Sequence, residues 1–430
     1  MFGIILGLAL LMFVTMRGVS ILIAGPALAL VVAIFGNIPL LEAYTKHFMG
    51  GAAGYFQAWF PTFLLGAIFG KIMDDTGAAE SLAHWIISKI GKERAILAIV
   101  AATAVLTYGG ISLFVVVFTM YPLAMAIFKE ADLPKRLIPG CIALGAFTFT
   151  MTALPGTPQI QNIIPTKYFG TDAMAAPIVG LVAAAVMAVG GTMYMNMRAK
   201  KAKENGEKFV PGPKDERYLK EATEDRIKDL PNPGLSLLPL LAIIVLLDIF
   251  KLNIVVSLTG GVVLAFVLFY KRMENPLNSL NQGAMASMLA ILNTASAVGF
   301  GTVVKVVPGF KDLVALLSKV SLGNGLIYDA IATNILAGST GSASGGMSIA
   351  LEAMADQFLA TGANPELLHR IASLASGGLD TLPHNGAVLT LLAVCGLTHK
   401  DSYIDIFTVS LLIPVISVII AIILGSIGIV

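Results

Sequence analysis

Charge is what this chain has least of. Only 13% of its 430 residues are Asp, Glu, Lys or Arg, against 57% hydrophobic, and the mean hydropathy is +0.85. Soluble domains carry about 25% charge, so a water-soluble globular enzyme is excluded. The net charge of +2 comes without any basic patch interleaved with aromatics, so nucleic acid is not a partner. Cysteine is nearly absent: Cys141 and Cys395 both lie in apolar segments and make neither a disulfide framework nor a metal-ligand spacing. Histidine numbers five and forms no HExxH; there is no GxxxxGK[ST], hence no ATP-driven motor. The GSASG run at 341–345 has the wrong spacing for a serine nucleophile elbow. No enzyme, metal or cofactor is expected. The N-terminus lacks a basic leader and a small-residue cleavage site, so its first apolar run reads as a retained helix.

What the chain does have is long apolar stretches. Those near 2–16, 18–36, 56–73, 174–197, 235–250, 253–270, 283–304 and 405–429 approach the roughly 17–25 residues that span a bilayer. Residues 93–128 and 324–360 are short for two spans and long for one. Each is interrupted near its middle, by TYGGIS at 107–112 and GSTGSASGG at 338–346. A re-entrant helical hairpin fits both.

The one strongly hydrophilic stretch, 198–229, holds ten Lys/Arg and eight Asp/Glu and reads as a cytoplasmic linker. Walking outwards from it puts most of the remaining basic residues inside, among them Lys89, Lys92, Arg94, Lys129, Lys135, Lys271 and Lys400. Loops at 37–55, 167–172, 305–320 and 361–366 fall outside. The walk closes only if 93–128 re-enters from the cytoplasm and 324–360 from outside, with both termini on the outer face. An all-α polytopic membrane protein follows, with two halves, 1–197 and 233–430, flanking a linker at 198–232. Each half reads as three spans, an amphipathic connector (78–90 or 310–320), a hairpin, a broken helix (136–170 or 366–397) and a final span. An odd number of crossings before the linker makes this an inverted repeat. Faint echoes agree: Phe69, Gly70 and Leu82 against Phe300, Gly301 and Leu313, and GGIS at 109–112 against GGMS at 345–348.

The breaks carry the chemistry. TALPGTPQIQN at 152–162 and DTLPHNGAVLT at 380–390 each contain a Leu-Pro step, a Gly and several hydrogen-bonding side chains. In lipid, a broken helix frees backbone groups that must be buried in protein or line a wet cavity. A matched pair of breaks points to the binding site of a secondary transporter, and helix N-termini there favour an anion. Candidate carboxylate-binding residues are Thr107, Gly109, Gly110 and Ser112 on the first hairpin and Thr152, Gly156, Thr157 and Asn162 at the first break. In the second half they are Ser342, Ser344, Gly345, Gly346, Thr381, His384 and Asn385. The competing reading is that Gly and Ser merely allow close helix packing.

Ionisable residues at membrane depth are functional candidates. Asp380, His384 and Glu352 are the proton-coupling candidates; Asp380 also fits a helix cap, and Glu352 an aqueous approach. Asp248 reads as interfacial. Na⁺ remains an alternative coupling ion, because unwound carbonyls coordinate it, and a cation/proton antiporter without organic substrate is a further alternative. Paired re-entrant hairpins and breaks suit alternating access better than a channel.

The segment LDTLPHNGAVLTLL at 379–392, with GLTHK at 396–400, resembles the gluconate permease family of the ion transporter superfamily, in its 3-hydroxybutyrate/gluconate permease-like branch. FGK at 69–71 with Gly77, NPELL at 364–368 and ALPGTP at 153–158 support the resemblance, which covers essentially the whole chain. It implies uptake of a small organic (hydroxy)monocarboxylate, usually with H⁺, by a multi-pass carrier of the bacterial inner membrane. It also implies a homodimer with a scaffold and a moving, elevator-type transport domain.

Overall fold

The computed structural model describes residues 1–212, 215, 224–320 and 323–430. Every element in it is helical, and no strand occurs among the described residues.

The first half begins with α1 (Phe2–Met16), α2 (Ile21–Phe35) and the long α3 (Leu40–Asp75), then the amphipathic α4 (Ala78–Ile90). α5 (Ala95–Tyr108) and α6 (Leu113–Glu130) follow as a hairpin. α7 (Ile138–Ala146), the single turn α8 (Phe149–Thr152) and α9 (Ile160–Phe169) make an interrupted helix, and α10 (Pro177–Glu204) ends the series. After the short α11 (Glu224–Asp229), the same succession recurs: α12 (Pro233–Ile249), α13 (Ile254–Arg272), α14 (Pro276–Val306) and α15 (Gly309–Val320). The hairpin pair α16 (Gly325–Thr340) and α17 (Ala343–Ala360) comes next, then the interrupted pair α18 (Pro365–Ser376) and α19 (Gly386–Val394), and last α20 (His399–Ser426).

Five of these helices are long and apolar enough to cross a membrane: α3, α10, α13, α14 and α20; α1, α2 and α12 are shorter apolar helices. Large apolar side chains stand exposed on them, among them Phe2, Leu41, Ile249, Val267 and Ile423. That much apolar surface is stable against lipid and not against water.

Some boundaries differ from those read in the sequence. α3 begins at Leu40, inside the stretch expected to be an outer loop, because Glu42, Lys46 and His47 pair on the surface of a wider π-turn. α10 continues to Glu204, into the expected linker.

Two packing groups form. In one, α14 runs between α2 and α3 and is the most buried of the long helices. Small residues make these approaches possible: a Cβ on Gly283 would stand 2.8 Å from Ile68 Cα, and one on Gly299 2.7 Å from the Phe48 carbonyl. In the other, α5 packs on α7 and α16 on α18, while α9 lies between α17 and α18, and α10 runs beside α20. A buried ionic cluster joins its end: Asp405 of α20 accepts from Arg198 Nε at 2.6 Å and pairs with Arg136 at 3.6 Å. The segment leaving α10 is tied to the same group. Arg136 holds Glu207 through two bonds of 2.8 Å, and buried Lys135 holds Asp215 at 2.6 Å. Ser81 of α4 donates to the Pro231 carbonyl, just before α12.

Candidate functional site

Each hairpin tip is fastened to its own helix break. In the first half the turn between α5 and α6 contains Gly110 at φ +92°, a conformation open to glycine. Pro158 packs under it, 3.2 Å from where a Cβ would stand. Gln159, the residue before α9, donates its amide N–H to the carbonyls of Thr107 (2.6 Å) and Ile111 (3.3 Å), and Tyr108 donates to the Pro155 carbonyl at 2.9 Å. In the second half Asn385, the residue before α19, donates to the Gly341 carbonyl at 3.1 Å. His384 lies against Gly341, whose φ is +60°. An amide side chain at the start of the second half-helix thus pins the tip in both halves.

The two breaks also touch each other. Ser373 of α18 donates to the Thr152 carbonyl at 2.8 Å, and the Thr152 methyl stands 2.8 Å from where a Cβ on Gly377 would be. Thr152 is fully buried, and its hydroxyl turns back to the Thr148 carbonyl at 3.1 Å.

Around this centre the expected residues divide. Thr107 is fully buried and its hydroxyl has no hydrogen-bond partner. Asp380 is 3% exposed with Oδ1 unpartnered, and neither ring nitrogen of buried His384 makes a hydrogen bond. These groups remain available to a ligand or a proton. Others are committed to structure. The Asn162 amide donates to the carbonyls of Thr157 and Ala173, both at 2.9 Å. Thr381 exchanges hydrogen bonds of 3.1 Å with Ser410 and takes one from Tyr403 at its carbonyl. Ser342 caps α17 by accepting from Gly345 N–H at 3.1 Å. Ser344, Gly345 and Gly346 fall in the first turn of α17, since the interruption is confined to Gly341 and Ser342. A Cβ on Gly346 would lie 2.1 Å from the Ala337 backbone, so the hairpin arms meet there at backbone contact. Gly109 faces Leu240 of α12, and Ser112 precedes α6 without a capping bond.

Glu352 stands apart from the breaks. Two turns along α17, its carboxylate accepts from Tyr168 at 3.0 Å and its carbonyl from Lys305 at 2.7 Å. The Asp248 carboxylate lies against the first break. Its Oδ2 would stand 2.5 Å from a Cβ on Gly156, which sits in the first break at φ +77°.

The structure adds residues that the sequence reading did not single out. Arg370 and His369 of α18 are fully buried beside the first break. Arg370 donates to Asn162 Oδ1 at 2.9 Å and to the Ala175 carbonyl at 3.0 and 2.7 Å. His369 contacts Asn162 Oδ1 (3.3 Å) and the Thr171 hydroxyl (2.6 Å). Because Asn162 Oδ1 can only accept, His369 Nε2 carries a proton there. A lone Arg on the helix just before the second break was the available signal. Asn334 of α16 also contributes, accepting from Leu379 N–H at 3.2 Å beside Asp380.

Interrupted helices and hairpin tips meet inside an apolar helical bundle, the architecture of a polytopic membrane protein. Residues 1–427 match the sequence model of the GntP family permeases, and the chain belongs to that family. It is 42% identical to the Bacillus subtilis transporter YxjC, with 95% of each chain covered. It is 25% identical to the high-affinity gluconate transporter of Escherichia coli over 59% of each chain. The solved structure of Neisseria gonorrhoeae MtrF, described as illuminating a class of antimetabolite efflux pumps, shares the fold at a TM-score of 0.51. Identity there is 14%, with 91% of this chain and 86% of that one covered.

Proposed function

We propose that the protein is a secondary active transporter that imports a small (hydroxy)monocarboxylate, such as gluconate or 3-hydroxybutyrate, together with H⁺. The observation that carries this reading is the convergence of two breaks, each with a hairpin tip pinned to it by Gln159 or Asn385 and each touching the other at Thr152 and Gly377. Such a centre offers backbone dipoles and neutral donors to an anion without the desolvation cost of a fixed side-chain charge at every contact. The GntP family membership and the gluconate-transporting relatives support the substrate class.

In this reading 1–197 and 233–430 are inverted repeats. The linker is cytoplasmic and the termini outside, in a bacterial inner membrane. The two hairpins and the two broken helices move as an elevator against a scaffold formed by the other spans. Asp380 is the proton carrier. An ionised carboxylate with an oxygen that is buried and unpartnered is unfavourable, and protonation relieves it. His384, between that break and the second hairpin tip, donates to the substrate carboxylate.

The test is substrate movement by Asp380→Asn and His384→Gln variants in proteoliposomes. Asp380→Asn should abolish accumulation driven by ΔpH while counterflow exchange persists; His384→Gln should depress both. Full ΔpH-driven accumulation by Asp380→Asn would remove it from the coupling step.

A further inference from the structure

The two breaks leave different groups unsatisfied. At the second, the start of α19 is already capped, because Asn385 accepts from Ala387 N–H (2.7 Å) and Val388 N–H (2.9 Å). What remains there is the His384 ring, with neither nitrogen bonded, and Asp380 Oδ1. A ring N–H and a carboxyl that has taken up a proton are donors, and donors suit a carboxylate.

The first break is rich in acceptors instead. Asp248 of α12 sets its carboxylate against Gly156, and its Oδ1 is buried without a partner. Gln161, the second residue of α9, is 6% exposed, and its Oε1 is also unpartnered. Thr107, on the hairpin tip pinned to this break, is 0% exposed with an unpartnered hydroxyl. Buried acceptors call for a donor, and a carboxylate oxygen cannot supply one. Charge points the same way. Around this break stand the carboxylates of Asp248, Asp172 and Glu366 and the cations Lys251 and Arg370. Lys251 pairs with Asp172 at 2.8 Å, Arg370 is bonded to the Ala173 and Ala175 carbonyls, and Glu366 Oε2 accepts from Ala176 N–H at 3.2 Å. The cations do not outnumber the carboxylates, and a substrate carboxylate beside Asp248 would meet like charge. A hydroxyl meets no such penalty, because it donates to Asp248 or Gln161 and accepts from Thr107.

We propose that the first break reads the hydroxyl of a hydroxy acid, with Asp248 as the specificity-determining acceptor. Gln161 Oε1 and the Thr107 hydroxyl complete the set, and the substrate carboxylate lies at the second break against His384. The protein thereby selects hydroxy acids over unsubstituted acids of the same length. This orientation rests on the carboxylate-transport reading above.

The experiment measures equilibrium binding to the purified full-length protein in detergent with two pairs of probes. Gluconate is set against hexanoate and 3-hydroxybutyrate against butyrate, the second member of each pair lacking the hydroxyls. Wild type should prefer the hydroxy acid of at least one pair on the order of 10- to 150-fold, the range for a hydrogen bond to a charged group. Asp248→Ala should abolish most of that preference and leave the affinity for the unsubstituted acid within several-fold of wild type. Asp248→Asn, which keeps an acceptor without the charge, should fall between, and Thr107→Val should also reduce the preference. If the substrate carboxylate instead lay beside Asp248, Asp248→Asn would tighten both members of a pair, and that result overturns the proposal. So does an equal loss for both members, which reduces Asp248 to bracing of the break, and so does a preference unchanged in Asp248→Ala. Should Asp248→Ala fail to fold, Thr107→Val decides, because its hydroxyl holds nothing in the fold: an unchanged preference overturns the proposal. Wild type that binds none of the four acids overturns the transport reading and this inference together, whereas wild type that binds both members of each pair equally overturns this inference alone.

Discussion

Asn385 shows how much one side chain does at this site. Its oxygen caps α19 while its N–H₂ ties down Gly341, so one residue sets both a helix start and a hairpin tip. Replacing it with Ala should cost about 1–2 kcal/mol from the cap and should also weaken substrate affinity. Asn385→Asp keeps the capping oxygen and removes the donor, so thermal stability should recover more than affinity does. Thermal unfolding and counterflow half-saturation, measured on both variants, separate the two effects; parallel recovery of both would show that the tether to Gly341 is dispensable. Single residues were also where the sequence was hardest to read. Thr107, Asp380 and His384 stood out because polar groups in an apolar run need a reason. Asn162 has the same signature, yet its partners are the carbonyls of Thr157 and Ala173, brought to it by a loop that no local pattern specifies. Arg370 was obscured by the opposite problem: a lone basic residue is also a topology signal, and only the folded bundle reveals its burial against the Ala173 and Ala175 carbonyls.

At the scale of elements, hairpins and interruptions were legible because Gly, Pro and clustered Ser punctuate apolar runs in ways a continuous helix would not tolerate. Their limits were less so. Ser344, Gly345 and Gly346 read as loop, but helix α17 absorbs them because Ser342 caps it and Gly346 lets it pass Ala337 at backbone contact. Gly346→Ala should force the hairpin arms apart and destabilise the protein by about 1–3 kcal/mol, which thermal unfolding would register; an unchanged midpoint would mean that the arms give way freely. The start of α3 at Leu40 was missed because Tyr44, Thr45, Lys46 and His47 look like loop while lying on the outer surface of a helical turn. The segment after α10 offers a test in pH. The Arg136 guanidinium, through its two bonds, holds the Glu207 carboxyl below the ordinary carboxylate range. A depressed value stabilises the anchored form at pH above the ordinary range, and that contribution is lost as pH falls through the lowered value. A spin label at Gly206→Cys should therefore become mobile only on strong acidification, and Arg136→Gln should release it already near neutrality. Mobility independent of pH in both proteins would show that the pair does not anchor the segment.

For the whole molecule, the repeated order of elements is visible in the chain, but the opposite orientation of the halves follows from the distribution of Lys and Arg and needs its own test. Single-cysteine labelling at Lys129 and Gly362 should reach the first hairpin base from the cytoplasm and the second from outside. Labelling of both from one side would contradict the inverted repeat and separate the site argument from it. The central claim is that carboxylate movement is driven by protons, and gradient-driven uptake by the wild-type protein in proteoliposomes examines it most directly. With gluconate and 3-hydroxybutyrate outside, an inward proton gradient should accumulate at least one of them above equilibrium, and dissipating ΔpH should release it, with Na⁺ making no difference. Accumulation that follows an imposed Na⁺ gradient and ignores ΔpH would contradict the account.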